Sequence, residues 1–289
     1  MAVTKSPLRY PGGKTQLSEY VKYLMDINDI RKTYVEPFAG GFGVALELLF
    51  SDRVDQVVMN DYDPSIFSIW YSILNNYNEF KNMIISTDIT IGEWYKQKSI
   101  RDEFQLNPYS IENAFATFFL NRTNRSGIIN AGPIGGINQE GKYKIDCRFN
   151  KKKLLEKIEK IYEHRDSIII ENKDANVFIN ENLKQLDKKS TFVFFDPPYF
   201  KQGQNLYLSF FDKEDHKKLS KSIIESKYKW ITTYDISDDI FNLYSPYVQT
   251  YKYELNYSAY KRKKASEYLF ASNDIIIDSH GKVELFKLS

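Results

Sequence analysis

Asp196-Pro197-Pro198-Tyr199 follows directly on the apolar run Thr191-Phe192-Val193-Phe194-Phe195. Such a run of β-formers marks a strand buried on both faces, as in a parallel sheet. Proline cannot donate to a ladder and biases the residue before it away from helix, so the strand must stop at Asp196. A carboxylate, a carbonyl outside regular pairing and a flat ring then stand together at the carboxyl end of a central strand, where open α/β sheets bind their ligands. On these four residues alone, an ordinary proline turn remains the other reading.

Two further stretches carry chemistry. Thr33-Tyr34-Val35-Glu36 reads as a short strand turning through Pro37-Phe38-Ala39-Gly40-Gly41-Phe42-Gly43 into an apolar helix. Glycines there let the backbone take positive φ and approach a ligand closely. Only Gly41 and Gly43 match the dinucleotide-binding spacing, which points to a nucleoside cofactor without a pyrophosphate. The strand Gln56-Val57-Val58-Met59-Asn60 runs into Asp61, 18 residues after Gly43, near the roughly 20 at which an acid meets a ribose hydroxyl in such folds. Upstream, Gly13-Lys14-Thr15 ends like a phosphate-binding P-loop, but the glycine needed five residues earlier is Leu8. What remains is a Pro/Gly-rich loop with Tyr10 and Lys14 placed to reach a small ligand, or a plain N-terminal turn.

These residues need a parallel sheet to position them. Further strands are read at Ser167 to Asn172, with Asp174 just past the end, and at Trp230 to Asp235, with a helix starting near Asp212 between them and β-rich sequence after Val248. From about residue 70 to 165 the pattern is helical and irregular. Ser110 is placed to cap a helix with a buried stripe of Phe115, Phe118, Phe119 and Leu120. A loop bearing Arg122 and Arg125 follows, then a β-hairpin near Gly141 with Lys144 and Arg148, then an amphipathic helix from Lys151. Residues 96 to 165 hold 14 Lys/Arg against 8 Asp/Glu, an excess of 6 where the whole chain has +2. Arginines among asparagines on a loop suit phosphate and base-edge contacts, and Lys261-Arg262-Lys263-Lys264 would attract phosphates beside an active face. A solvated surface explains the lysines equally well.

The chain of 289 residues, 42% hydrophobic, suits one large domain or one domain with an insertion. One cysteine, Cys147, and three scattered histidines exclude a disulfide framework and leave no zinc spacing, so no metal is expected. No apolar run reaches transmembrane length and the N-terminus is polar by residue 4, so a cytoplasmic location is expected.

In motif order the chain resembles the Dam-like DNA adenine-N6 methyltransferases (D12 class, α-type motif order), which use S-adenosylmethionine. Arg9-Tyr10-Pro11-Gly12-Gly13-Lys14 is similar to the family's N-terminal cofactor motif, Glu36 to Gly43 to its glycine loop, and Asn60-Asp61 to its ribose acid. Asp174 matches the acid that meets the cofactor's adenine amino group, and Asp196-Pro197-Pro198-Tyr199 the catalytic signature.

The resemblance implies a Rossmann-like α/β S-adenosylmethionine-dependent methyltransferase fold with an inserted, mainly helical target-recognition domain. Residues 1–70 and 166–289 are then catalytic and 71–165 recognise DNA. It implies that Tyr10, Lys14, Phe38, Gly40, Gly43, Asp61 and Asp174 bind cofactor. Asp196 and the Pro197 carbonyl would accept hydrogen bonds from the adenine amino group, and Tyr199 would stack on the flipped base. Arg122, Arg125, Lys144, Arg148, Lys261 and Arg262 are the expected contacts to double-stranded DNA. A restriction endonuclease partner and a monomer or weak dimer are compatible with it. The alternative is methylation of another planar nitrogen, a protein glutamine amide or an RNA base. The stretch Asn130 to Arg148 departs from the GATC-methylating members, which leaves the recognition site open.

Overall fold

The computed structural model describes residues 4–10, 13–103, 106–200, 211–257 and 263–288. Strands β1 (Thr33–Glu36), β2 (Gln56–Asn60), β3 (Ile168–Glu171), β4 (Thr191–Phe195), β5 (Lys229–Asp235), β6 (Gln249–Tyr257), β7 (Lys263–Ala271) and β8 (Phe286–Lys287) form one sheet. Their order is β3-β2-β1-β4-β5-β7-β6-β8. The first five are parallel, and β7 lies antiparallel between β5 and β6. The order reverses between β1 and β4, which pair with Tyr34 level with Phe192 and Val35 with Val193. Glu36 and Asp196 therefore emerge side by side at the switch point, where such sheets bind ligands.

Alternation along the strands sorts the core. Tyr34, Phe192, Phe194 and Ile231 join one hydrophobic cluster, while Val35, Val193, Phe195 and Trp230 join the other. All five residues of β4 are buried, as its apolar run requires. Among the described residues, the α-helices of seven residues or more are α1 (Ser18–Ile27), α2 (Gly43–Phe50), α3 (Pro64–Asn75), α4 (Tyr77–Ser86), α5 (Ile91–Asp102), α6 (Ile111–Thr123), α7 (Lys151–Glu163), α8 (Lys213–Ile224) and α9 (Asp238–Tyr244). The first cluster extends into α4, α6 and α7 through Phe80, Phe115, Phe118 and Ile158. The helices of residues 71–165 thus share a core with one face of the sheet, and the 70/71 junction falls inside α3.

Ser110 caps α6, accepting the Asn113 N–H at 3.1 Å. This helix is buried nearly all round and not along one stripe, because α3, α4 and α5 pack around it. The hairpin expected near Gly141 is absent; residues 134–143 form turns and bends, and Ile145–Arg148 a 3-10 turn. Gln139 supplies the reason. Its amide donates to the carbonyls of Ile134 (2.9 Å) and Gly136 (2.5 Å) and accepts the Ile145 N–H (2.8 Å), replacing a cross-strand ladder with a side chain.

Candidate active site

The glycine loop between β1 and α2 is held from three sides. Gly40 takes φ +45°, and a Cβ there would lie 2.6 Å from the Tyr10 ring, while one at Gly41 would lie 2.9 Å from the Tyr10 Cβ. The sequence assigned this close approach to a ligand; the structure gives it to Tyr10, whose ring packs across the loop. The Gly40 N–H donates to Asp61 Oδ2 (2.8 Å) and the Asp63 N–H to Asp61 Oδ1 (3.0 Å), tying the end of β2 to the loop. Burial, aided by Asp63, pushes the Asp61 carboxyl up to about 7. Glu36 Oε1 accepts from the Tyr34 hydroxyl (3.0 Å) and the Ala45 N–H (3.1 Å), and burial pushes this carboxyl up to about 8. Asp174 caps a short helical turn with Oδ1, taking the N–H groups of Asn176 (2.9 Å) and Val177 (3.3 Å).

Asp196 stands at the end of β4 with its side chain 26% exposed. The Thr233 hydroxyl donates to its Oδ1 at 2.9 Å, and Lys14 Nζ lies 3.5 Å from the same oxygen. Burial raises the Asp196 carboxyl to about 6, Lys14 opposing the rise and Glu267 adding to it. Lys14 also donates to the Tyr199 hydroxyl (2.8 Å) and to both oxygens of Glu267 (3.3 and 3.1 Å). Glu267 further accepts from the hydroxyls of Tyr199 (3.0 Å) and Tyr253 (2.6 Å). Burial works against the Lys14 charge, but Asp196 and Glu267 outweigh it and hold the ammonium protonated well above its ordinary value. Two expectations change here. Lys14 lines the cavity, but its ammonium is committed to Asp196, Glu267 and Tyr199. Tyr199 is nearly buried, its hydroxyl anchored and its ring 4.8 Å from the ammonium, because the antiparallel β7 brings Glu267 underneath it.

One cavity of about 590 Å³ joins these groups, lined by Tyr10, Lys14, Glu36, Phe38, Gly40, Gly43, Asp61, Asp174, Asp196 and Pro198 among others. Pro197 itself is buried. The model of the D12 class N6 adenine-specific DNA methyltransferases matches residues 10–262. The chain belongs to that family. Type II methyltransferase M.CviBI of Paramecium bursaria Chlorella virus NC1A is 26% identical over 88% of this chain and 91% of its own length. Type II methyltransferase M.MjaIII of Methanocaldococcus jannaschii is 26% identical over 76% of this chain and 83% of its own. The protein is thus an adenine-specific DNA methyltransferase, and glutamine-amide and RNA-base methylation fall away as alternatives.

The family's cofactor, S-adenosylmethionine, fits the methyltransferase's cavity. Among the described residues, six acids line it (Glu36, Asp61, Asp63, Asp174, Asp196, Asp215) against three bases (Arg9, Lys14, Arg122). Three of those carboxyls have raised pKa values, which a cationic ligand relieves.

The expected DNA contacts divide. Arg122 belongs to the last turn of α6 and not to a loop; it donates to the carbonyls of Arg148 (2.8 Å from Nε) and Pro7 (3.3 Å), which removes it from the free arginines. Arg125, Lys144 and Arg148 are exposed, with Lys144 also donating to the Gln139 carbonyl. Lys261 and Arg262 lie outside the described residues, as do Pro11 and Gly12. Sequence reasoning missed Glu267, the lone acid in the buried run Glu267-Tyr268-Leu269-Phe270-Ala271, and that isolation was its only signal. It also missed Asn121, whose side chain accepts the Arg9 N–H (2.8 Å) and donates to the Arg9 carbonyl (2.9 Å), fastening the Tyr10 loop to α6. Among the described residues no helix is long and apolar enough to cross a membrane, and no group of acids, histidines or cysteines is arranged to hold a metal.

Proposed function

We propose that the chain methylates N6 of an adenine flipped out of double-stranded DNA, with the carboxyl end of β4 as the reacting centre. The observation that carries this reading is Asp196 on the cavity wall, its Oδ1 fixed by Thr233 and Lys14. Asp196 Oδ2 and the Pro197 carbonyl accept the two amino hydrogens, drawing the nitrogen lone pair out of the ring plane; Oδ2 then takes the proton that methylation releases. Bound S-adenosylmethionine supplies the electrophilic methyl group. Asp61 holds its ribose, Asp174 its adenine amino group, and Tyr10, Phe38, Gly40 and Gly43 shape the cavity around it. The Tyr199 hydroxyl, anchored to Lys14 and Glu267, sets the plane of the ring on which the base stacks.

Residues 71–165 form the recognition unit in this reading. Arg125, Lys144 and Arg148 contact the duplex, joined by Lys261 and Arg262, while Arg122 fixes the backbone that presents them. The type II relatives make a cognate restriction endonuclease the natural partner to look for; a monomer or weak dimer in the cytoplasm completes the expectation. The test has two steps. Mapping N6-methyladenine in DNA from cells expressing the chain gives the recognition site, and duplexes with 2-aminopurine at the target then report flipping. Enhanced fluorescence with the wild type supports the reading; methylated DNA without any flipping signal contradicts it.

A further inference from the structure

We propose that Glu267 is a positioning residue for methyl transfer, taking up the charge of Lys14 and the hydroxyl of Tyr199 so that Asp196 keeps a carboxylate oxygen for the adenine amino group. This rests on Asp196 being the acceptor for that group. Glu267 is 3% exposed and sits on β7, 71 residues beyond Asp196 in sequence, brought close because β7 pairs with β5 and sets Glu267 opposite Asp235. Among the described residues, three hydrogen-bonding side chains converge on it: Lys14 (3.1 Å to Oε2), Tyr199 (3.0 Å to Oε1) and Tyr253 (2.6 Å to Oε2). Lys14 is nearer to Glu267 than to Asp196, from which it lies 3.5 Å. The second carboxylate divides the ammonium's pull, so Asp196 is held by Lys14 without being consumed by it. A buried cation facing Asp196 alone would close on it and compete with the substrate.

The charged and titratable groups facing Asp196 come from several elements: Lys14 from the N-terminal loop, Glu267 from β7, Glu36 and Tyr34 from β1, and Tyr234 beside Thr233 on β5. Activity requires ionised Asp196, so the rate falls as pH drops through its pKa. Removing the Glu267 anion favours ionised Asp196 and moves this acid limb to lower pH. Removing the Lys14 cation moves it to higher pH. A carboxylate that merely neutralised a buried lysine for stability would move the limb through the same field but leave the rate above the limb unchanged.

The experiment measures single-turnover methyl transfer against pH, with saturating S-adenosylmethionine and duplex DNA, for Glu267→Gln, Lys14→Met and the double variant. Glu267→Gln should lower the rate about 10- to 100-fold, with S-adenosylmethionine and DNA dissociation constants changed less than about 3-fold, and shift the limb down. Lys14→Met should shift it up. The double variant keeps the net charge of the Lys14, Glu267 and Asp196 cluster at its wild-type value and so decides the matter if Glu267→Gln does not fold. Its limb should return toward the wild-type position while its rate stays low, because Tyr199 has lost the bond from Lys14 and meets a neutral amide in place of the Glu267 carboxylate. A wild-type rate in the double variant, or shifts of the same sign in both single variants, would overturn the proposal. Asp196→Asn, run alongside, separates the two levels: full activity there refutes the acceptor reading itself, whereas an inactive Asp196→Asn with a silent Glu267→Gln refutes Glu267 alone.

Discussion

Lys14 and Arg122 are both cations held largely away from water, yet their surroundings are opposite. Lys14 lies between Glu267 and Asp196, and those carboxylates push its pKa up against the effect of burial. Arg122 is met by backbone carbonyls and by other cations. Burial first, then Arg9 and Arg148, bring it down to about 10, and neighbouring Lys157 falls to about 8 through burial, Arg122 and Lys5. Among the described residues no ion pair compensates Arg9, Arg122, Arg148 or Lys157. The first region balances its charge within the chain and leaves a fixed field for chemistry. The second leaves like charges facing one another, a repulsion that an arriving polyanion relieves.

The largest expected effect is at Lys14→Met, which removes the balanced cation: the methylation rate should fall at least about 100-fold while the salt dependence of DNA binding stays put. Gly40→Ala comes next. Its Cβ would meet the Tyr10 ring at 2.6 Å with φ at +45°, a strain of about 1–3 kcal/mol. Cofactor affinity measured by calorimetry should weaken roughly 10- to 100-fold, since 1.4 kcal/mol is tenfold. On the unbalanced side, Arg125→Ala and Arg148→Ala should each weaken DNA binding and reduce the slope of log K against log salt by about 0.9, leaving the pH–rate profile unmoved. If Lys14→Met changed the salt slope, or Arg148→Ala the acid limb, the two regions would not be functionally distinct.

A smaller effect sharpens the electrostatic half. Glu36 and Asp61, with carboxyls raised to about 8 and 7, bind protons in the free enzyme that a cationic ligand displaces. S-adenosylmethionine should therefore bind more tightly at pH 8 than at pH 6, by about tenfold if Asp61 alone gives up its proton and by roughly a few hundred-fold if Glu36 does too, with proton release visible as buffer-dependent heats. For the protein alone the sign is reversed. Carboxyls with raised folded pKa values favour the folded state while protonated, and that contribution is lost as pH rises from the unfolded value near 4 through 7 and 8. Thr233→Val should have the least effect, slowing transfer a few-fold by removing the 2.9 Å bond to Asp196 Oδ1.

The parts legible in the sequence were those whose cause is local. The apolar run ending in two prolines dictated β4 and the position of Asp196, and the glycine loop and the acid at Asp61 followed from spacing. Glu267 was hidden because its meaning depends on an antiparallel β7 reaching back beside β5. Arg122 was misplaced because α6 runs to Thr123 and turns the guanidinium inward to Pro7 and Arg148. The hairpin near Gly141 failed because one amide, Gln139, satisfies the backbone that strands would otherwise pair. In each case a long-range or side-chain partner overrode the local pattern.

Transfer of labelled methyl groups from S-adenosylmethionine to duplex DNA, with hydrolysis and identification of the labelled base, tests the role of Asp196 when the wild type and the isosteric Asp196→Asn are compared. Label should appear in N6-methyladenine with the wild type and fall at least about 100-fold in Asp196→Asn, with cofactor and DNA binding retained. Label in another base, or an Asp196→Asn rate equal to wild type, would contradict it.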